Sequence, residues 1–269
     1  MTLPRGLRLA LLVCTILALA VIYVPLGIVV LNSFNTSGSF AWPPTGLTLD
    51  WWDRAISSSG ARDALWVSLR VATLATVISL VLGTMAALAL QRFRFFGRNV
   101  VSLLVILPIA LPGIVTGIAF QNAFKTLLGI ELGFLTLVVA HATFCIVTVF
   151  NNVQARLRRL GSNLEEASMD LGAGTFTTFR LITFPMLRSA LLAGGLLSFA
   201  LSFDEIIVTT FTAGPRQETL PLWILNNMFR AQQAPVVNVV AAALIVASVV
   251  PIWIAQKLAG TDESVAAAR

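Results

Sequence analysis

Six long apolar runs dominate the sequence, and shorter polar segments separate them. Each run reaches or exceeds the roughly 20 residues that a helix needs to cross a hydrocarbon core of about 30 Å. We therefore predict an all-α polytopic membrane protein with six transmembrane helices, in a single transmembrane domain over residues 1–269. The runs cover residues 9–31, 64–90, 100–120, 134–153, 190–211 and 236–254.

The polar segment 162–185 has the pattern of a short amphipathic helix between two turns. Ser162 and Glu165 have the spacing of a capping box. Gly172 and Gly174 supply the backbone freedom that ends a helix, and Pro185 marks the entry to the next apolar run. Small and apolar side chains at helical spacing form one narrow face, namely Leu164, Ala167, Ser168 and Leu171. The acidic side chains point elsewhere, namely Glu165, Glu166 and Asp170.

This segment resembles the EAA loop of the membrane subunits of ABC importers, which has Glu-Ala-Ala, a later glycine and then Ile-x-Leu-Pro. The matching positions are Glu166, Ala167, Gly172, Ile182 and Pro185. Ser168 replaces the second alanine and Phe184 replaces the leucine, and both keep the size or apolarity of a docking face. The resemblance implies a cytoplasmic coupling helix that sits in a groove of an ATPase subunit. Its coupling residues would be Leu164, Glu166, Ala167, Ser168, Asp170, Leu171 and Gly172. The alternative is an ordinary amphipathic loop.

The composition independently requires a membrane. Hydrophobic residues make up 57% of the 269 residues and charged residues only 11%, with a mean hydropathy of +0.89. A soluble globule of this composition could not present a polar surface. The first apolar run continues through Val30, well past the apolar core of a signal peptide, so we expect it to be retained as a span.

The cationic residues predict the orientation. With the N-terminus in the cytoplasm, about twice as many of them lie on the cytoplasmic side as elsewhere. Both termini and the segment 162–185 are then cytoplasmic, and the net charge of +6 needs no nucleic acid to explain it. The cytoplasmic cations are Arg5, Arg8, Arg92, Arg94, Arg98, Arg156, Arg158, Arg159, Arg180, Arg188, Lys257 and Arg269.

The sequence lacks the motifs for nucleotide and metal chemistry. A P-loop needs a glycine before its lysine, but Phe124 precedes Lys125 and Gln256 precedes Lys257, and these are the only lysines. We therefore expect this chain to bind no cofactor, with ATP and Mg²⁺ on a separate ATPase. The sole histidine, His141, has no partner motif for a metal, so we predict a hydrogen-bonding role in the core and no metal site.

Two prolines interrupt the third apolar run and a GxxxG pair follows them. The residues are Pro108, Pro112, Gly113 and Gly117. Broken backbone at membrane depth is tolerated where it is buried or lines a cavity, and small residues let helices approach closely. We assign these four residues a structural role in close helix packing, with a cavity lining as the alternative.

An acidic pair lies inside the fifth run. Asp204 and Glu205 follow Ser202 and Phe203, and the helical rise puts them in the outer half of the bilayer. A carboxylate at that depth needs a partner. The partner is either a cationic substrate, which would make residues 202–205 part of the substrate path, or Arg70 of the second run in a structural ion pair.

Three further segments, 108–117, 141–145 and 201–214, resemble the permeases of spermidine/putrescine-type ABC importers. Within that group the resemblance is to the second permease of putrescine systems, and the same branch carries γ-aminobutyrate and other small amines. It implies a type I importer in the bacterial inner membrane. The partners would be a second, paralogous permease, two copies of an ABC ATPase, a periplasmic solute-binding protein and the lipid bilayer.

Three other functions remain as alternatives. The same architecture could carry a sugar, an anion or a peptide. An intramembrane hydrolase is disfavoured because the sequence has no Gly-x-Ser-x-Gly and its acidic pair lies on one helix, so we predict no catalytic residue. A passive channel is disfavoured because a coupling loop would have no partner.

Overall fold

The computed structural model describes residues 4–38, 43–161 and 163–248, and these residues are largely α-helical. An isolated antiparallel bridge joins Asn35 and Leu47, and no strand is present in the described ranges. Three sequence predictions lie partly or wholly outside those ranges. They are the capping residue Ser162, the end of the sixth apolar run, and the cytoplasmic placement of Lys257 and Arg269.

The helices follow the predicted apolar runs with short helices between them. Two five-residue π-helical turns, Ala123–Leu127 and Phe179–Thr183, extend α5 and precede α9 respectively. The helices are α1 (Arg5–Asn32), α2 (Asp50–Ser57), α3 (Ser59–Arg92), α4 (Arg98–Ala110), α5 (Gly113–Asn122), α6 (Phe134–Leu160), α7 (Asn163–Asp170), α8 (Thr175–Thr178), α9 (Phe184–Phe203), α10 (Ile207–Thr212), α11 (Leu220–Asn227) and α12 (Ala234–Ser248).

The described residues fall into two compact units. The first is drawn from Met1–Arg62 and Trp223–Arg269. Its helix α1 is strongly apolar and buries no side chain in its most apolar window, as expected of a lipid-facing span. The helix α2 is held to the loop after α1 because Trp51 donates its indole N–H to the Asn35 carbonyl at 3.0 Å. The rings of Phe34 and Trp52 stack beside this bond with centroids 5.3 Å apart.

The second unit, Asp63–Leu222, has α6 at its centre. The helices α6 and α9 exchange two side-chain bonds, since Cys145 donates to the Ser198 carbonyl and Ser198 donates to the Cys145 carbonyl. Ser79 of α3 donates to the Ala142 carbonyl of α6 at 3.2 Å. Small polar side chains of this kind commonly join helices in membranes, where the hydrophobic effect does not drive helices together.

Four described helices are long and apolar enough to cross a membrane by length and composition, and there are five if a bent pair is counted as one span. The bent pair is the third predicted span, which turns by 107° between Arg98–Ala110 and Gly113–Leu127. The sixth predicted span is described only as Ala234–Ser248. The prediction of one continuous fifth helix over 190–211 was wrong, because α9 ends at Phe203 and the chain restarts as α10 at Ile207.

Candidate functional site

The predicted coupling element forms the helix α7 and ends in a tight turn. Gly172 has φ +86°, a conformation that costs little only for glycine. Its N–H bonds to the Met169 carbonyl, and the next N–H, of Ala173, bonds to the Ser168 carbonyl. This pair of bonds is the Schellman arrangement, so the helix ends where the sequence predicted.

The predicted docking face of α7, which comprises Leu164, Ala167, Ser168 and Leu171, is mostly exposed. Leu164 is 54% exposed and Leu171 is 89% exposed, and Ala167 is also exposed. Ser168 departs from this face, because its hydroxyl lies 3.0 Å from that of Thr178 in α8. Glu166 and Asp170 are exposed. The exposed apolar residues of this face are available for the predicted contact with a partner.

The sequence reasoning missed the contacts of Glu165. Its predicted role was in a capping box whose first residue, Ser162, is not described. In the structure the Glu165 carboxylate forms an ion pair with Arg92 at the end of α3 and accepts a hydrogen bond from the Thr183 hydroxyl at 2.6 Å. Nothing in the local pattern signals these contacts, since the partners lie 73 and 18 residues away.

The acidic pair occupies the break between α9 and α10, and its two carboxylates have different surroundings. Glu205 accepts the Val208 N–H at 2.8 Å and so satisfies a donor in the first turn of α10. Asp204 is exposed, and no hydrogen bond or ion pair links its carboxylate to any described residue. The Arg70 guanidinium instead lies 6.0 Å from the Trp66 ring centroid on its own helix. The proposed ion pair between Arg70 and the acidic pair is therefore not formed.

His141 bridges the two sides of this break. The fully buried imidazole lies 2.8 Å from the Ser202 hydroxyl of α9 through Nδ1 and 2.9 Å from the Thr209 hydroxyl of α10 through Nε2. Thr209 donates its only hydroxyl proton to the Glu205 carbonyl, so its oxygen accepts from Nε2–H. Nδ1 is then the acceptor for the Ser202 hydroxyl. Ser202 is thereby held in the interior, whereas Phe203 is half-buried and stacks on Phe199.

The broken third span packs against α10. Pro108 lies in the last turns of α4, and Pro112 immediately precedes α5. A Cβ atom at Gly117 would lie 2.6 Å from Phe211 Cδ2, and one at Gly113 would lie 3.6 Å from Ile207. The GxxxG pair therefore lets α5 approach α10 closely. The structure brings the two broken spans, His141 and the acidic pair together, and leaves the predicted coupling residues in the separate segment at α7.

A cavity of about 630 Å³ opens between two loops of the second unit, over residues 129–132 and 213–215. Lys125 and Glu131 put opposite charges on its wall. In the predicted topology these loops face the outer side of the membrane. Among the described residues, no group of three or more His, Cys, Asp and Glu side chains converges as a metal site would require.

Comparison with known proteins identifies the family. Residues 79–259 match the model of the binding-protein-dependent transport system inner membrane component. The spermidine/putrescine transport system permease PotC of Escherichia coli K12 is 37% identical over 91% of each chain. The putrescine transport system permease PotI of the same organism is 33% identical over 87% of this chain and 84% of its own. This chain belongs to the family of binding-protein-dependent inner membrane transport components.

The fold agrees with that assignment. A chain of a bacterial ABC transporter involved in the import of the acidic polysaccharide alginate superposes with a TM-score of 0.69 at 17% identity, covering 97% of this chain and 99% of the other. At this identity the likeness concerns the fold alone. The all-α type I permease fold predicted from the sequence is confirmed. The chain is thus a permease subunit of an ABC importer in the inner membrane, and not an enzyme.

Proposed function

We propose that this permease carries polyamines such as putrescine and spermidine, or related small amines such as γ-aminobutyrate, into the cell. The observation that carries the proposal is the exposed Asp204 carboxylate at the break between α9 and α10. It has no cationic partner among the described residues, and an unpaired carboxylate at membrane depth favours a cationic solute. The 37% and 33% identities to permeases named for spermidine and putrescine support the same class.

The transport machine has further subunits in this proposal. A second, paralogous permease completes the pathway, two copies of an ABC ATPase supply energy, and a periplasmic solute-binding protein delivers the amine. The family description, a binding-protein-dependent system, supports this arrangement. ATP and Mg²⁺ are held by the ATPase, because this chain has no P-loop. The loops that flank Lys125 and Glu131 are candidate contacts for the binding protein.

The helix α7 is the proposed contact with the ATPase. Its exposed apolar residues Leu164 and Leu171 would occupy the ATPase groove, and the turn at Gly172 fixes where the helix ends. An ATPase acts only where ATP is present, so α7 is cytoplasmic. Both termini are then cytoplasmic as well, in agreement with the distribution of arginines.

The substrate assignment is tested with the assembled complex in liposomes. The chain is co-expressed with the genes next to its own, and ATP-dependent uptake of labelled putrescine is measured against unlabelled spermidine, γ-aminobutyrate and maltose. We expect the amines to compete and maltose to have no effect. Competition by maltose, or ATP hydrolysis without amine uptake, would contradict the amine assignment and leave an importer of another solute, such as a sugar, an anion or a peptide.

A further inference from the structure

Three side chains from three separate elements meet beside the coupling helix. Arg92 is the last residue of α3, Glu165 lies in α7, and Thr183 closes the π-helical turn before α9. The Arg92 guanidinium pairs with the Glu165 carboxylate and donates to the Thr183 hydroxyl oxygen at 3.0 Å. The Thr183 hydroxyl donates to the same carboxylate oxygen at 2.6 Å. Each member of this triad therefore contacts the other two.

The triad is partly shielded from water. The side chains of Arg92 and Glu165 are 28% and 17% exposed, and Thr183 is only 2% exposed. Fully exposed ion pairs contribute little because water screens them. A partly buried pair with an added hydrogen bond has stronger, more directional interactions. The triad is thus a defined connection between elements and not a loose surface contact.

The connection adds a link that the covalent chain does not provide. The sequence joins α7 directly to α6 on one side and, through α8, to α9 on the other. The helix α3 lies far from α7 in the sequence, and the triad ties the end of α3 to it. A second polar contact, between Ser168 and Thr178, holds α7 to α8. Movement of α7 would therefore be passed to α3, in the second span, as well as to α9, in the fifth span.

We propose that Arg92, Glu165 and Thr183 form a latch that makes α3 move with α7 during the transport cycle. Arg92 and Glu165 are then positioning residues for coupling, and they are distinct from the predicted ATPase contacts on the exposed face of α7. The proposal rests on the proposed coupling role of α7. The neighbouring Arg94 is exposed and bonds to no other described residue, so it provides a matched control for loss of one positive charge.

The decisive test measures the distance between α3 and α7 in the assembled complex. Cysteines replace the exposed residues Ala89 and Met169 in a chain with Cys14→Ser and Cys145→Ala, and spin labels are attached to both. With the latch intact, we expect the label distance to stay the same when a non-hydrolysable ATP analogue is added, because the two helices move together. In Arg92→Gln the distance distribution should shift or broaden on nucleotide binding, and in Arg94→Gln it should not.

A second readout is the amount of solute transported per ATP hydrolysed. We expect Arg92→Gln and Glu165→Gln to lower it at least about fivefold, since couplings between sites are typically of that size or larger. The exchanged pair Arg92→Glu with Glu165→Arg should recover part of it, which also controls for failure to fold. Thr183→Ser should retain more coupling than Thr183→Val.

The distance measurement decides the proposal. Identical distance distributions for Arg92→Gln and the unsubstituted complex, with and without nucleotide, would overturn the latch. This readout does not depend on the transported solute. A complex that shows the expected distances but takes up no amine would therefore refute the amine assignment while leaving the latch intact.

Discussion

The two adjacent carboxylates at the break of the fifth span have different surroundings. The Glu205 carboxylate accepts the Val208 N–H, whereas Asp204 is exposed and its carboxylate bonds to no described residue. The sequence identified both as costly groups in a membrane but could not separate them. The difference follows from the break after Phe203, since the chain restarts as α10 at Ile207 and Glu205 accepts an N–H of its first turn.

We predict that Asp204→Asn weakens uptake of a cationic amine and that Glu205→Gln affects it less. Loss of a charged partner should raise the KM for putrescine roughly tenfold, as expected for one charge-assisted contact. A glutamine at 205 keeps an oxygen that can accept the Val208 N–H, so it serves as the matched control. The measurement is the initial uptake rate in liposomes over a range of putrescine concentrations. Unchanged kinetics in Asp204→Asn would remove this residue from the path.

The close approach of α5 and α10 depends on the absence of a Cβ atom at Gly117, where glycine carries only a hydrogen. In Gly117→Ala the new methyl group would meet Phe211, so we expect a loss of stability of about 1–3 kcal/mol from overpacking. Thermal unfolding of the purified protein in detergent measures it. Gly113→Ala, at ordinary contact distance from Ile207, should cost less, and Phe211→Leu should restore part of the loss. Equal midpoints for the two alanine variants would contradict the packing described here.

At the scale of elements, the two broken spans differ in how far the sequence predicts them. Pro108 and Pro112 predict that the third span is interrupted, but they do not predict its 107° bend. The fifth run contains neither proline nor glycine near its break at residues 204–206. That break is stabilised by tertiary contacts, namely the bonds of His141 to Ser202 and Thr209, and a local pattern cannot reveal such contacts.

The role of His141 gives a direct prediction. His141→Leu removes the partner of two buried hydroxyls, so we expect it to lower stability by about 1–3 kcal/mol and to reduce uptake by loosening the break next to Asp204. Thr143→Val on the same helix is the control, since Thr143 is half-buried and its hydroxyl bonds only to the carbonyl of Val139. Thermal midpoints and uptake rates are compared for the two. Equal thermal midpoints for His141→Leu and Thr143→Val would show that the hydrogen bonds of His141 do not stabilise the break between α9 and α10.

The helix and turn of the predicted coupling segment were predicted in more detail, because their signals are local. Helical spacing, the glycine turn and the following proline all lie within 162–185. The contacts of Glu165 with Arg92 and Thr183 escaped prediction because they join distant parts of the chain. The roles given to the exposed residues of α7 stay predictions.

The variant Gly172→Asp tests the predicted role of α7 in coupling to the ATPase. A side chain at φ +86° strains the turn, and a carboxylate beside the docking face adds charge, so we expect uptake to be lost or uncoupled from ATP hydrolysis. Gly174→Ala is the control, because Gly174 has φ −70° and its Cβ position is open. ATP hydrolysis and uptake are measured on the same liposomes. Normal coupling in Gly172→Asp would refute the role of α7.

At the scale of the whole molecule, apolar composition and run length predicted the membrane fold because bilayer thickness fixes the length of a span. Fold and family are confirmed, whereas the orientation of the termini and the individual partners stay predictions. The proposed contact of α7 with an ATPase subunit would cover the exposed Leu164 and Leu171.

The most direct test of the account is accumulation of labelled putrescine against a concentration gradient in liposomes that hold the complete complex. We predict accumulation only when ATP is supplied on the side that α7 faces, and a marked reduction with Asp204→Asn at equal ATP hydrolysis. Equilibration of putrescine without ATP would indicate a passive channel. ATP hydrolysis with no accumulation in the unsubstituted complex would contradict the assignment of this permease to amine import.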